Sequence, residues 1–186
     1  MDIISTRIPD VKLIKPKVFG DERGFFMETW NQRAFNEAGF SAAFVQDNHS
    51  RSVKNTLRGL HYQIKKPQGK LVRVTRGEVF DVAVDLRAKS PTFGQWVGEY
   101  LSEHNCHMLW VPPGFAHGFL VISETADFQY KCTDFYAQEY ERTIHWADPI
   151  LNIEWGMDSA NKILLSEKDR IGQSFGQAAT ELNEYY

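Results

Sequence analysis

His61 lies in the run Leu57-Arg58-Gly59-Leu60-His61-Tyr62-Gln63, with Gln68-Gly69-Lys70 close behind. One imidazole flanked by two long cations suits proton transfer on an anionic substrate, because an unperturbed histidine (pKa about 6.5) exchanges protons near neutrality. A metal site would want a second imidazole two residues on, and Gln63 stands there instead. His61 reads either as a general base or as a core histidine bonded to backbone. Arg58 and Lys70 favour the first, since long cations are costly to bury without an anion. In an ideal strand Arg58 and His61 face opposite ways. Gly59 between them is the natural place for a bulge that re-aims one of them.

Other side chains admit two readings each. Arg23, in the Gly20–Gly24 loop, is an anion ligand or a solvated loop charge. Glu28, Gln46, Asn48 and Glu141 say little singly. The run 130–136 alternates so that Tyr130 and Tyr136 share a face, where core packing is the default for both. A tyrosine hydroxyl in a polar interior would instead deliver a proton from the side opposite a histidine.

Alternating patterns supply the elements that must hold these groups. In Val79–Leu86, residues Phe80, Val82, Val84 and Leu86 share one apolar face. Asp81 and Asp85 lie on the other, which predicts a polar lumen or a solvated sheet surface. The preceding run 71–76 and the turn Arg76-Gly77-Glu78 predict a hairpin with it. Further strands are expected at 11–19, 25–30, 44–46, 57–63, 95–101, 107–111, 117–122, 127–133 and 143–146. A helix is expected over 32–38, capped by Asn31 and stopped by Gly39. A second begins near Ser166, where Ser166-Glu167-Lys168-Asp169 has the shape of a capping box. The tail 173–186 reads as helix or as disorder.

Many short strands between Gly/Pro turns argue for an all-β sandwich or jelly roll filling a single domain, 1–186, with short peripheral helices. Its sheet edges need cover, so a homodimer with strand exchange or sheet extension is expected. The 186 residues carry 42% hydrophobic side chains and a formal charge of −3. That charge gives no global attraction to nucleic acid or an anionic membrane. The first residues lack a signal pattern, no apolar run approaches membrane-spanning length, and Cys106 and Cys132 form no CxxC pair. These features predict a cytoplasmic protein whose cysteines are reduced and buried.

Several segments together resemble one family. They include Pro16–Phe26, Val45–Ser50, Leu57–Gln63, Gln68–Arg73, Gly77–Arg87, Ser90–Gly94, Val111–Phe119, Tyr130-Lys131 and Leu165–Asp169. Along nearly its whole length the chain is similar to the dTDP-4-dehydrorhamnose 3,5-epimerases, which are cupin-type jelly rolls. Pro112-Pro113-Gly114-Phe115-Ala116-His117 resembles the second cupin motif, whereas the histidine pair of the first is missing.

The resemblance implies that His61 is the catalytic base, Asp169 its orienting carboxylate, Tyr130 the proton donor and Lys70 the cation beside the substrate's C4 oxygen. It implies nucleotide-sugar contacts from Arg23, Glu28, Gln46, Asn48, Arg58, His117, Glu141 and Lys168, and base stacking by Tyr136. It implies a dTDP-4-keto-6-deoxyhexose substrate and neither metal nor redox cofactor. Departures from the family pattern are Trp155-Gly156, a short loop near 65–67 and the tail 181–186. Three rivals remain at this point: a 3-only or 5-only epimerase, a non-catalytic nucleotide-sugar-binding jelly roll, and a metal-dependent cupin enzyme.

Overall fold

The computed structural model describes residues 1–156 and 162–185. The first half holds β1 (Asp2–Ser5), β2 (Lys12–Lys15), β3 (Val18–Asp21), β4 (Gly24–Met27), α1 (Gln32–Glu37), β5 (Gln46–Val53), β6 (Leu57–Gln63) and β7 (Lys70–Arg76). The second holds β8 (Glu78–Asp85), β9 (Trp96–Ser102), β10 (Met108–Val111), β11 (Phe115–Val121), β12 (Thr125–Cys132), β13 (Glu141–Thr143), α2 (Glu167–Arg170) and α3 (Phe175–Tyr185). Two antiparallel sheets form the body, a six-stranded one ordered β1-β2-β10-β7-β12-β5 and a five-stranded one ordered β13-β6-β11-β8-β9. Among the described residues, strands β3 and β4 pair only with each other. This is the expected jelly roll.

The expected hairpin across Gly77 does not form. β7 pairs with β10 and β12, while β8 pairs with β9 and β11 in the other sheet. Only Gly77 separates the two strands, too little chain for a reversing two-residue turn. The chain bends there from one sheet to the other. At its φ of +76°, a Cβ would lie 2.0 Å from the Thr125 carbonyl oxygen, so only glycine fits.

Both faces of β8 are buried. Phe80, Val82, Val84 and Leu86 pack outward beneath Phe175, Ala178 and Leu182 of α3, together with Leu151 and Trp155. Val79 and Ala83 pack inward with Val72, Phe119 and Phe128 between the sheets. Asp81 and Asp85, each 0% exposed, share that inward face, so the space between the sheets holds carboxylates beside its apolar cluster. Asp85 is satisfied by Arg87, Ser90 and Thr92.

The helices follow their local signals. Asn31 Oδ1 accepts from the backbone N–H groups of Arg33 and Ala34, and Gly39 follows α1 at φ +77°. The tail that read as helix or disorder forms α3, tied to the sheet by an Arg142–Glu181 ion pair of 2.8 Å. Cys132 is buried as expected, but Cys106 is only half-buried because it sits in the turn before β10, at φ +54°. Among the described residues no helix is long and apolar enough to cross a membrane.

Candidate active site

A cavity of about 380 Å³ opens between the two sheets. His61 on β6, His117 on β11 and Arg58 line one wall; Gln46, Asn48, Lys70 and Tyr130, from β5, β7 and β12, line the facing one. Tyr136, Glu141 and Lys168 complete its rim. Among the described residues no three His, Cys, Asp or Glu side chains converge as they would around a metal ion. Gln63 is spent elsewhere: its amide spans the Lys66 and Phe135 carbonyls and the Ala137 N–H, holding the loop that carries Tyr136.

Arg58 and His61 share the cavity because β6 bulges. His117 pairs with His61 but Phe119 with Arg58, so three residue steps on β6 match two on β11. Gly59 takes the extra step at φ +129°, where a Cβ would lie 2.5 Å from Gly118 Cα. Strand alternation is thereby reset between the arginine and the histidine.

Behind His61 stands Asp169, 3% exposed, on the short helix α2. Its Oδ1 lies 2.6 Å from His61 Nε2 and accepts from the Gly59 N–H at 3.1 Å, while Oδ2 accepts from the Ser166 hydroxyl at 2.6 Å. Ser166 also caps the helix by accepting from the Asp169 N–H. Burial pushes the Asp169 carboxyl up, but these donors, His61 first, outweigh it and hold the group at about 2. Burial lowers the His61 pKa, helped by Lys168 and Lys70, against the pull of Asp169. The resting pair is therefore a carboxylate and a neutral imidazole. An ionised carboxylate only accepts, so the proton sits on Nε2 and the Nδ1 lone pair is left for a ligand.

Lys70 is 9% exposed and makes no hydrogen bond or ion pair among the described residues. Burial depresses its pKa, opposed by Cys132, Asp81 and Glu141. Tyr130, raised mainly by burial, keeps its phenol proton. Lys168 is paired with Glu141 at 2.8 Å, and Glu141 also accepts from the Tyr136 hydroxyl at 3.1 Å. Gln46 accepts from the Tyr136 N–H and donates to Asn48. Arg58 donates to Ser52 and otherwise faces solvent at the mouth.

Two residues named from the sequence lie outside this cavity. Arg23 is exposed on the β3–β4 hairpin, paired with Asp21, and Glu28 is exposed just beyond, accepting from Asn31. Sequence reasoning had not singled out Phe119 and Phe128, stacked rings 4.1 Å apart that form an apolar part of the cavity wall, nor Asp81 behind His117. Asp81 was legible as an inward carboxylate of β8. The ring pair had no signal beyond apolar alternation.

The family model described as dTDP-4-dehydrorhamnose 3,5-epimerase matches residues 5–177. The chain is 64% identical over 172 residues to dTDP-4-dehydrorhamnose 3,5-epimerase of Pseudomonas aeruginosa, covering 92% of this chain and 94% of that protein. Its fold is similar to a dTDP-6-deoxy-D-glucose-3,5-epimerase from Legionella pneumophila solved in complex with dTDP-4-keto-L-rhamnose, with TM-score 0.93, 53% identity, and 97% and 96% of the two chains covered. A more distant likeness, 27% identical with TM-score 0.85 and 97% and 98% coverage, is a 3′-monoepimerase from Streptomyces bikiniensis in complex with dTDP-quinovose.

Proposed function

Since this chain belongs to the dTDP-4-dehydrorhamnose 3,5-epimerase family, we propose that its cavity inverts C3 and C5 of dTDP-4-dehydro-6-deoxy-D-glucose, giving dTDP-4-dehydro-L-rhamnose. The observation that carries the reading is the placement of a neutral, carboxylate-backed histidine and a protonated tyrosine on facing walls of one cavity, with a buried lysine beside them that has no ion pair among the described residues.

Hydrogens on C3 and C5 flank the C4 ketone, so loss of either yields an enolate. His61 takes the proton through Nδ1 while Asp169 holds Nε2–H and stabilises the imidazolium that forms. Lys70 meets the charge developing on the C4 oxygen. Tyr130 returns a proton from the opposite wall, which inverts the centre. Arg58, with its planar fork of donors, sits at the mouth where a diphosphate would lie, and exposed Tyr136 offers a face to the base. Gln46, Asn48, His117, Glu141 and Lys168 supply the remaining polar contacts to the nucleotide-sugar.

Arg23 and Glu28 reach a cavity through a second copy of the chain. The β3–β4 hairpin exposes Val18, Phe19, Phe25 and Phe26, the last at 70%, and pairs with no other strand among the described residues. An apolar ribbon of this kind is fit to be covered by a partner. In the homodimer it crosses over, and each subunit's Arg23 and Glu28 complete the other's site. A monomeric mass at micromolar concentration would refute this.

The deciding experiment is incubation with the 4-keto sugar in D₂O, followed by proton NMR. Label at both C3 and C5 is expected, and label at one carbon would instead indicate a single-centre epimerase like the Streptomyces neighbour. His61→Ala should abolish exchange at both carbons; retained exchange would remove His61 from the mechanism. Tyr130→Phe should keep exchange yet lose the doubly inverted product.

A further inference from the structure

The cavity contains a second histidine–carboxylate pair. His117 is the cross-strand partner of His61, and its Nε2 lies 3.0 Å from both carboxylate oxygens of Asp81. The histidine is 6% exposed and the aspartate 0%. No other hydrogen bond or ion pair reaches the Asp81 carboxylate among the described residues. A carboxylate so deeply buried persists only with compensating partners. One is the His117 ring. The other is Lys70 across the lumen, whose ammonium Asp81 supports against burial.

We propose that Asp81 is a positioning residue for the epimerisation: it holds His117 by Nε2, turning Nδ1 to the substrate, and it is the buried counter-charge of Lys70. The proposal rests on the role assigned above to Lys70. Two functions thereby meet in one carboxylate that touches no substrate. Asp81 sets the ring that contacts the sugar and sustains the charge that meets the enolate oxygen.

The groups around this pair define what a pH profile reads. Lys70 faces Asp81 from β8, Cys132 from β12, Glu141 from β13 and Lys168 from α2. Glu99 on β9 is the cross-strand partner of Asp81, and burial raises its pKa. Glu141 is already engaged by Lys168, which leaves Asp81 as the carboxylate near Lys70 without a lysine of its own.

Asp81→Asn keeps an acceptor for His117 and removes the charge. Expected is a fall in kcat of about 10- to 100-fold, less than the roughly 10²–10³ for deleting an oxyanion donor outright. Binding of dTDP should stay within about three-fold, and the alkaline limb of kcat/KM should move to lower pH as Lys70 loses its proton more easily. Unchanged kcat with an unmoved alkaline limb would overturn the proposal. Should the variant not fold, histidine side-chain ¹⁵N NMR on the unmodified protein decides: a protonated Nε2 on His117 is expected, and a proton on Nδ1 alone would overturn it. That spectrum needs no turnover, so it separates failure of this inference from failure of the epimerase reading, which the D₂O experiment tests.

Discussion

His61 Nε2 and Asp169 Oδ1 lie 2.6 Å apart although 108 positions separate them in the chain. The aspartate reaches the histidine from a single turn of helix capped by Ser166, and the same carboxylate oxygen also takes the N–H of Gly59. One carboxylate therefore fixes the bulge that aims the base, the tautomer of the base and the end of a helix.

Asp169→Asn should leave the cavity intact and cripple it. An asparagine oxygen can still accept from Nε2–H, but its amide can also donate, which favours the wrong tautomer and no longer stabilises an imidazolium. Expected is a loss of about 10²–10⁴ in kcat with dTDP affinity within a few-fold of the parent. Steady-state kinetics beside calorimetric dTDP binding checks it. A kcat within two-fold of the parent would mean that the carboxylate only supports the fold.

Lys70→Met should separate activity from stability. The ammonium is buried without an ion pair among the described residues, so an apolar side chain of similar length removes a desolvation penalty. Asp81 loses its counter-charge in the same step, so the two effects offset and the melting temperature should stay within a few degrees of the parent while kcat falls by about 10²–10³. Calorimetry and deuterium exchange on one preparation test both halves. A marked loss of thermal stability would show that the charge Lys70 supplies to Asp81 outweighs the desolvation penalty it carries, and a kcat near the parent's would remove Lys70 from the mechanism.

How far the sequence was legible depends on whether the signal was local. β6 was found with its observed bounds and α1 with its Asn31 cap, because alternation and capping are written in neighbouring residues. β5 was seen only at its start. Its inward residues Gln46, Asn48 and Ser50 line a polar cavity and most of its outward residues are polar too, so no hydrophobic period marks it. The Gly77 hairpin failed because strand pairing in a jelly roll is set by distant partners. The cavity assembled from six strands and α2 was likewise invisible to spacing alone, and its residues were placed through family resemblance. The inward face of β8, by contrast, was legible as carboxylates, though not their partners.

Stability should decline in two stages on acidification. His61 has its pKa lowered below 6.5 by burial, so the unfolded chain binds its proton first and stability begins to fall below pH 6.5. Asp169, held at about 2 against 3.8 unfolded, contributes stability that is complete above 3.8 and is lost as pH falls towards 2. Urea titrations between pH 8 and 3 report the slope. A maximum near pH 5 would reverse the sign assigned to His61. The same shift keeps the base unprotonated, so the acid limb of kcat/KM should lie below pH 6.5.

Gly59→Ala tests the bulge. The residue sits at φ +129°, a region that disfavours any Cβ, and the new methyl would meet Gly118 Cα at 2.5 Å and the His117 carbonyl at 2.9 Å. Both obstacles are backbone of the paired strand, so neither can swing aside as a flexible side chain would. The expected penalty is about 2 kcal/mol or more in urea unfolding. Because the bulge aims both Arg58 and His61 into the cavity, any folded fraction should also lose nucleotide affinity and kcat together. That joint loss distinguishes a mis-set strand from simple destabilisation, which lowers the amount of active protein but leaves KM and kcat per folded molecule unchanged. A variant of parental stability and normal kinetics would show that β6 does not bulge at Gly59 in solution, and the shared placement of Arg58 and His61 would need another origin.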